Sequence, residues 1–202
     1  MLKISLGILL SYLLGAVPAA YILVKAFKGV DIRTYGSGNV GATNASRILG
    51  KWLGAVVLAF DIFKGFFVVI ILSKFFLCPE IEPEIIKACF GLAVVCGHIF
   101  NVFLSFNGGK GVATSAGVLL GIAPYSILLG AVCFVIVLLI SRYVSVGSMV
   151  SSIVVPFYLL IIGGHYSYIV LSALLCILIV AKHKTNIKRL LRRSERKIFS
   201  KK

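Results

Sequence analysis

The sequence predicts an all-α integral membrane protein with seven transmembrane helices, its amino terminus outside and its carboxyl terminus cytoplasmic. Three observations carry that prediction. The 202 residues are 60% hydrophobic, with a mean hydropathy of +1.08, and only 13% are charged, whereas soluble domains are about half apolar and about a quarter charged. The apolar residues gather into long runs, several near the roughly 20 helical residues that cross a bilayer core. The polar loops between the runs separate by charge sign, as the positive-inside rule requires.

Seven apolar runs cover about residues 2–27, 53–77, 85–106, 112–123, 125–141, 146–162 and 167–181. The first is too long for a signal-peptide core and has no small-residue cleavage site ahead of a mature domain, so it reads as a retained helix. The fourth is short for a span, and Gly121-Ile122-Ala123-Pro124 reads as a sharp turn that ends it early. Joining it to the fifth would give six spans. Seven is preferred because the charges then sort. Lys25, Lys28, Arg33, Arg47, Lys51, Lys110, Arg142 and the basic tail from Lys182 all fall inside, and the loop 78–84, "CPEIEPE", with three acidic charges, falls outside. With six spans Arg142 would lie outside, and the tail would conflict with the first loop. Residues 1–191 read as one polytopic membrane domain and 192–202 as a basic cytoplasmic tail lying on lipid.

Twenty-one Lys and Arg against six acids give a net charge of +15. In a soluble chain that excess would suggest nucleic acid. Here the basic residues lie between apolar runs, so membrane lipid headgroups or a phosphorylated substrate account for them, and no nucleic-acid partner is expected. The five cysteines, at 78, 89, 96, 133 and 176, sit in or beside apolar runs without a CxxC pair. Neither a disulfide frame nor a zinc site is supported.

On this topology four polar segments share the cytoplasmic face: "DIRTYGSGNVGATNASR" (31–47), "NGGKGVATSAG" (107–117), "SRYVSVGSM" (141–149) and "KHKTNIKR" (182–189). Glycines let a backbone turn tightly and approach a ligand, hydroxyl and amide groups add donors, and Lys and Arg add charge. That mixture suits an anion such as a phosphate. The first two segments also start helices: Thr43 and Asn44 are good N-cap types, and a helix follows Gly111 directly. Helix starts present N–H groups and a positive dipole end to an anion. A glycine-rich turn with a lysine also serves simply to cap a helix at the headgroups, but four such segments on one face favour a phosphate site. Lys110 resembles a P-loop lysine, yet GxxxxGK[ST] is absent, so nucleotide hydrolysis is unsupported.

Asp61 and Lys64 lie one turn apart inside the second run, where charges pair or face a polar cavity. An orienting pair and a catalytic role both remain open. His98 reads as a base or, more commonly, as a hydrogen-bonded packing histidine, and His165 falls on the outer side. Other chemistry is excluded by what is missing. No HxxxxD follows His98, since Phe103 stands five residues on, and no GxSxG occurs. Asp31 and Glu195 are too few carboxylates for a two-metal phosphotransferase site, and CDP-alcohol chemistry is disfavoured with it.

"YGSGNVGATNASR", "DIFKG", "GHIFNVFLSFNGGKGVAT" and "KHKTNIKRLL" resemble the bacterial acyl-phosphate:glycerol-3-phosphate acyltransferase family, the PlsY type. The resemblance runs from the first helix to about Arg192 and departs at Asn101, where the family pattern has proline. It implies seven transmembrane helices and a cytoplasmic active site in the bacterial cytoplasmic (inner) membrane. It also implies transfer of a fatty acyl group from acyl phosphate to the 1-hydroxyl of glycerol 3-phosphate. The products would be 1-acylglycerol 3-phosphate (lysophosphatidic acid) and phosphate, an early step of phospholipid biosynthesis, without metal or other cofactor.

Acyl phosphate arrives activated, so direct attack needs positioning and charge stabilisation more than a protein nucleophile. On the resemblance, Ser37, Lys110, His183 and Asn186 are expected to be catalytic. Gly38, Asn39, Gly41, Thr43, Asn44, Arg47, Gly111, Thr114 and Ser148 are expected to bind substrate. Ser37, Asn39, Thr43, Asn44 and Arg47 would hold one phosphate. Lys110, Gly111 and Thr114 would serve the other phosphate or the developing oxyanion. Ser148, His183 and Asn186 would close the site, with His183 or Asn186 orienting the hydroxyl. The alternative is a small membrane transporter of organic phosphates, which shares the basic loops but usually shows an internal repeat and a midplane site. No convincing repeat occurs here.

Overall fold

Residues 2–198 are described by the structure, a computed structural model. Their regular structure is helical: α1 (Leu2–Gly15), α2 (Ala19–Lys28), α3 (Ala42–Leu49), α4 (Lys51–Ile70), α5 (Pro83–Ile99), α6 (Val112–Ile122), α7 (Pro124–Ser141), α8 (Val144–Ile161), α9 (Tyr166–Lys182) and α10 (Lys184–Leu191), with short 3-10 turns between some of them. The chain forms two compact units, Met1–Ile122 and Ala123–Lys202.

Each of the seven apolar runs is helical. By length and composition, however, five helical segments can cross a bilayer: Leu2–Lys28, Lys51–Phe76, Pro83–Leu104, Pro124–Ser141 and Val144–Ile161. A sixth follows if Tyr166–Lys182 and Lys184–Leu191, bent by 53°, act as one span. Hydropathy foretold where helices form, but turn residues decide where they stop. α6 has 11 residues, about 16 Å of helix against a hydrocarbon core of about 30 Å. Gly111 precedes it and Pro124 opens the next helix, as the turn at 121–124 suggested.

In the first unit the helices approach closely through glycine. A Cβ on Gly15 would overlap the Val94 carbonyl, and one on Gly97 would overlap the Tyr12 carbonyl, so α1 and α5 cross backbone to backbone. Gly65 against Thr114 and Gly117 against Ile62 do the same for α4 and α6. Small residues at such crossings let helices pack in lipid without a hydrophobic driving force.

α1 and α2 are separate because the run breaks at Ala16-Val17-Pro18. Proline lacks an N–H and cannot continue the ladder, so the carbonyls before it need other donors. In an apolar medium an unsatisfied carbonyl costs several kcal/mol, roughly. Lys64 Nζ donates to the carbonyls of Gly15 (3.0 Å) and Val17 (3.3 Å), and Asn101 Nδ2 donates to that of Ala16 (2.6 Å). Both donors are buried side chains, Lys64 from α4 and Asn101 from the turn after α5.

In the second unit α7 packs on α8 and α8 on α9. The segment beyond α10 departs from the expected lipid-lying tail. Ile198 N–H bonds the Arg142 carbonyl at 2.9 Å, Lys197 sits over the Tyr143 ring, and Glu195 accepts from Ser145. Residues 199–202 of the expected tail lie outside the described residues.

Candidate active site

The first loop rests on an apolar floor. Ile32 and Val40 are buried with Ala20, Val24, Ala45, Val57 and Leu104. Above it, Asp31 caps the short turn Ile32–Thr34 by accepting from Arg33 N–H, and the Arg33 guanidinium grips the same carboxylate at 2.6 Å. That side-chain hydrogen bond holds the Asp31 carboxyl below the usual carboxylate range. Gly36 and Gly38 take positive φ (64° and 75°), the left-handed conformation that glycine adopts freely.

α3 begins earlier than Thr43 and Asn44 suggested. Gly41 stands at the N-cap, and both residues lie within the first turn. Asn44 is turned inward and buried. Its Oδ1 accepts from Ser37 N–H at 2.9 Å, and its Nδ2 donates to the carbonyls of Tyr35 (3.0 Å) and Ile32 (3.3 Å). Asn44 therefore shapes the loop that presents Ser37, Gly38 and Asn39. Thr43 and Arg47, four residues apart on one helix face, are exposed beside it.

The second loop folds back on the end of α5. Gly108 and Gly109 N–H groups bond the carbonyls of Ile99 and His98, each at 3.1 Å. A Cβ on Gly109 would overlap the His98 imidazole and press on the Val40 carbonyl. Here the two predicted loops meet. Gly111 takes φ +83° just before α6, and Lys110 between them is half-buried. Thr114, in the first turn of α6, is fully buried. Its hydroxyl and that of Ser115 have no hydrogen-bond partner among the described residues. Such groups are uncommon in buried positions and cluster where strain or function explains them.

Beneath the loops lies a buried polar network that the sequence only half disclosed. Asp61 and Lys64 pair at 2.8 Å, and His98 Nδ1 lies 2.9 Å from Lys64 Nζ. A small cavity opens between Pro18, Val40, Asp61, His98, Asn101 and Gly109. Lys64 of this pair also reaches the α1 break, where it donates to the carbonyls of Gly15 and Val17. Asn101, noticed only as a departure, is part of the same network.

In the second unit, His183 is buried at the bend between α9 and α10, and its Nδ1–H donates to the Ile179 carbonyl at 2.7 Å. Asn186 Nδ2 donates to Glu195 Oε1 at 2.6 Å, and Ser145 donates to the same oxygen at 3.0 Å. Ser148 donates to the Val144 carbonyl of its own helix at 2.9 Å. Glu195 and Ser145 were missed as members of this cluster. The signal was available, since Glu195 is the one acid in the basic stretch 182–202.

The model of the glycerol-3-phosphate acyltransferase family matches residues 5–193. A glycerol-3-phosphate acyltransferase of Geotalea daltonii is 45% identical over 180 residues, 89% of this chain and 90% of that relative. Glycerol-3-phosphate acyltransferase 2 of Bacillus anthracis is 45% identical over 193 residues, 96% of this chain and 98% of the relative. Among solved structures, the chain resembles crystalline PlsY, an integral membrane glycerol 3-phosphate acyltransferase, in its glycerol 3-phosphate form. The TM-score is 0.89 at 36% identity, over 96% of this chain and 95% of that one. The lysophosphatidic acid form of PlsY gives a TM-score of 0.86 at 35% identity.

Proposed function

Because the chain belongs to the glycerol-3-phosphate acyltransferase family, we propose that it acylates the 1-hydroxyl of glycerol 3-phosphate with acyl phosphate as donor, at the cytoplasmic face of a bacterial inner membrane. The observation that carries this reading is the meeting of two glycine loops at Val40 and Gly109, each leading into a helix start. Two phosphate-bearing substrates call for two such cradles, side by side.

In this reading the glycerol oxygen attacks the acyl carbonyl, a new ester C–O bond forms, and the bond from that carbon to the phosphate oxygen breaks. The hydroxyl proton passes to a substrate phosphate, whose second pKa lies near 6, and inorganic phosphate and 1-acylglycerol 3-phosphate leave. Lys110 and the first-turn amides of α6 stabilise the developing oxyanion or one phosphate. Ser37, Asn39, Thr43 and Arg47 serve the other. Asn44, with its amide bound to the loop backbone, serves by shaping that loop. Gly38 and Gly111 give the backbone its turns, Gly41 stands at the α3 N-cap, and Thr114 offers a hydroxyl. Ser148, His183 and Asn186 enter from their sequence motifs, with His183 or Asn186 orienting the attacking hydroxyl. Both carboxylates counted on this face are engaged, Asp31 by Arg33 and Glu195 by Asn186 and Ser145.

Purified protein given radiolabelled glycerol 3-phosphate should form labelled lysophosphatidic acid with acyl phosphate. Acyl-CoA and acyl carrier protein should not replace that donor. Turnover with either thioester alone would reassign the donor, and uptake of unmodified label into vesicles without acylation would make the protein a transporter.

A further inference from the structure

The side chains Asp61, Lys64 and His98 have no part in the reaction as written above, yet His98 ends against the second loop. Lys64 Nζ lies 2.9 Å from His98 Nδ1, and Asp61 Oδ1 lies 3.4 Å from the same nitrogen. With Lys64 as an ammonium, which only donates, Nδ1 is assigned as its acceptor and the ring proton to Nε2. That Nε2 edge faces Gly109, where any Cβ would overlap it, and the Val40 carbonyl crowds the same point. Gly109 also donates its N–H to the His98 carbonyl. One imidazole thus abuts the residue before Lys110, at the place where the backbone of Val40, the residue before the α3 N-cap Gly41, comes closest.

We propose that His98 is a positioning residue: its outer edge sets the Gly109–Lys110 backbone against Val40–Gly41, registering one anion loop with the other, while Lys64, itself paired with Asp61, holds the ring. The inference rests on the acyl-transfer reading of these loops. Two substitutions separate it from a purely structural role. His98→Asn keeps an acceptor near Nδ1 for Lys64 and removes the outer edge. His98→Gln reaches toward the Nε2 position and leaves Lys64 without that acceptor. If the ring served only to satisfy Lys64, the Asn variant would be the better enzyme.

The expected order is the opposite. With acyl phosphate and glycerol 3-phosphate, kcat per folded protein should fall about 10- to 100-fold in His98→Asn, the scale of an ångström displacement of a catalytic group. It should stay within about threefold of wild type in His98→Gln, and KM should move less than kcat in both. The reverse order, or wild-type kcat in His98→Asn, overturns the proposal. If His98→Asn is not recovered folded, His98→Gln decides alone: a loss beyond about tenfold in a protein that elutes as wild type overturns it. Reverse order with an active wild type sinks this inference alone, whereas an inactive wild type sinks the reaction and this inference with it.

Discussion

The amide of Asn44 ties three backbone groups of the first loop together, so its removal should be felt mainly at Ser37 to Asn39. Each lost hydrogen bond is worth about 1 kcal/mol, and the loop is only half-buried. Asn44→Ala is therefore expected to fold and to lose about 10- to 100-fold in kcat/KM through misplacement of the loop, read by steady-state assay beside a thermal melt. Lys110→Ala should nearly abolish turnover with little change in the melt, and Lys110→Arg should be impaired as well, because a planar fork replaces a compact charge between glycines. A Lys110→Ala enzyme at wild-type rate would reduce Lys110 to a headgroup anchor. Single residues are also where sequence reading reaches its limit. The loop motif marked Asn44 as polar and near a helix start, but capping strength alone could not tell a cap from an inward-facing clamp. Asn101 lies 85 residues from the carbonyl it serves, a pairing no local pattern reveals.

Among the helices, the glycine crossings fix how α4 meets α6. Gly65 touches Thr114 backbone, which cannot rotate away as a side chain can. Gly65→Ala should therefore force the two helices apart and destabilise the protein by about 1–3 kcal/mol, seen as a lower melting temperature in detergent. Activity should fall in step, since α6 carries Gly111 and Thr114 at its start. An unchanged melt would show that the crossing is looser than its geometry implies. Element identity was legible because every run is apolar enough to be helical in lipid. Element length was less so. The break at Pro18 and the short α6 come from proline and glycine acting against hydropathy, and the amount of helix lost depends on which side chains are at hand to take up the freed carbonyls.

For the whole molecule, hydropathy and the charge of the loops made the membrane class plain; the division at Ile122 falls at the Gly121–Pro124 turn, which the sequence marked as the end of a helix and not as a boundary between units. Sidedness is open to direct test. With Cys78 replaced, a cysteine at Glu82 should react with an impermeant thiol reagent from outside, and one at Lys184 only after permeabilisation; the reverse pattern would overturn the cytoplasmic site. The reaction as a whole should persist in excess EDTA, because the few carboxylates on that face are already engaged and a divalent ion needs oxygen ligands. Rates varied over both substrates should give intersecting double-reciprocal lines, the mark of a ternary complex. Parallel lines, or acyl label retained on denatured protein, would show a covalent intermediate and recast Ser37 or Ser148 as its carrier.

The break after α1 has a consequence for how the protein is made. Synthesis proceeds from the amino terminus, so the first apolar run reaches the membrane before either Lys64 or Asn101 exists. The carbonyls of Gly15, Ala16 and Val17 then have neither of the donors they hold in the finished fold. Until the ribosome has passed residue 101, that bend must stay in contact with water or the insertion machinery. A nascent chain arrested before residue 64 should accordingly leave a cysteine at Ala16 open to a water-soluble thiol reagent. One arrested well beyond residue 101 should protect it, and equal protection at both lengths would mean that the bend settles without its later partners.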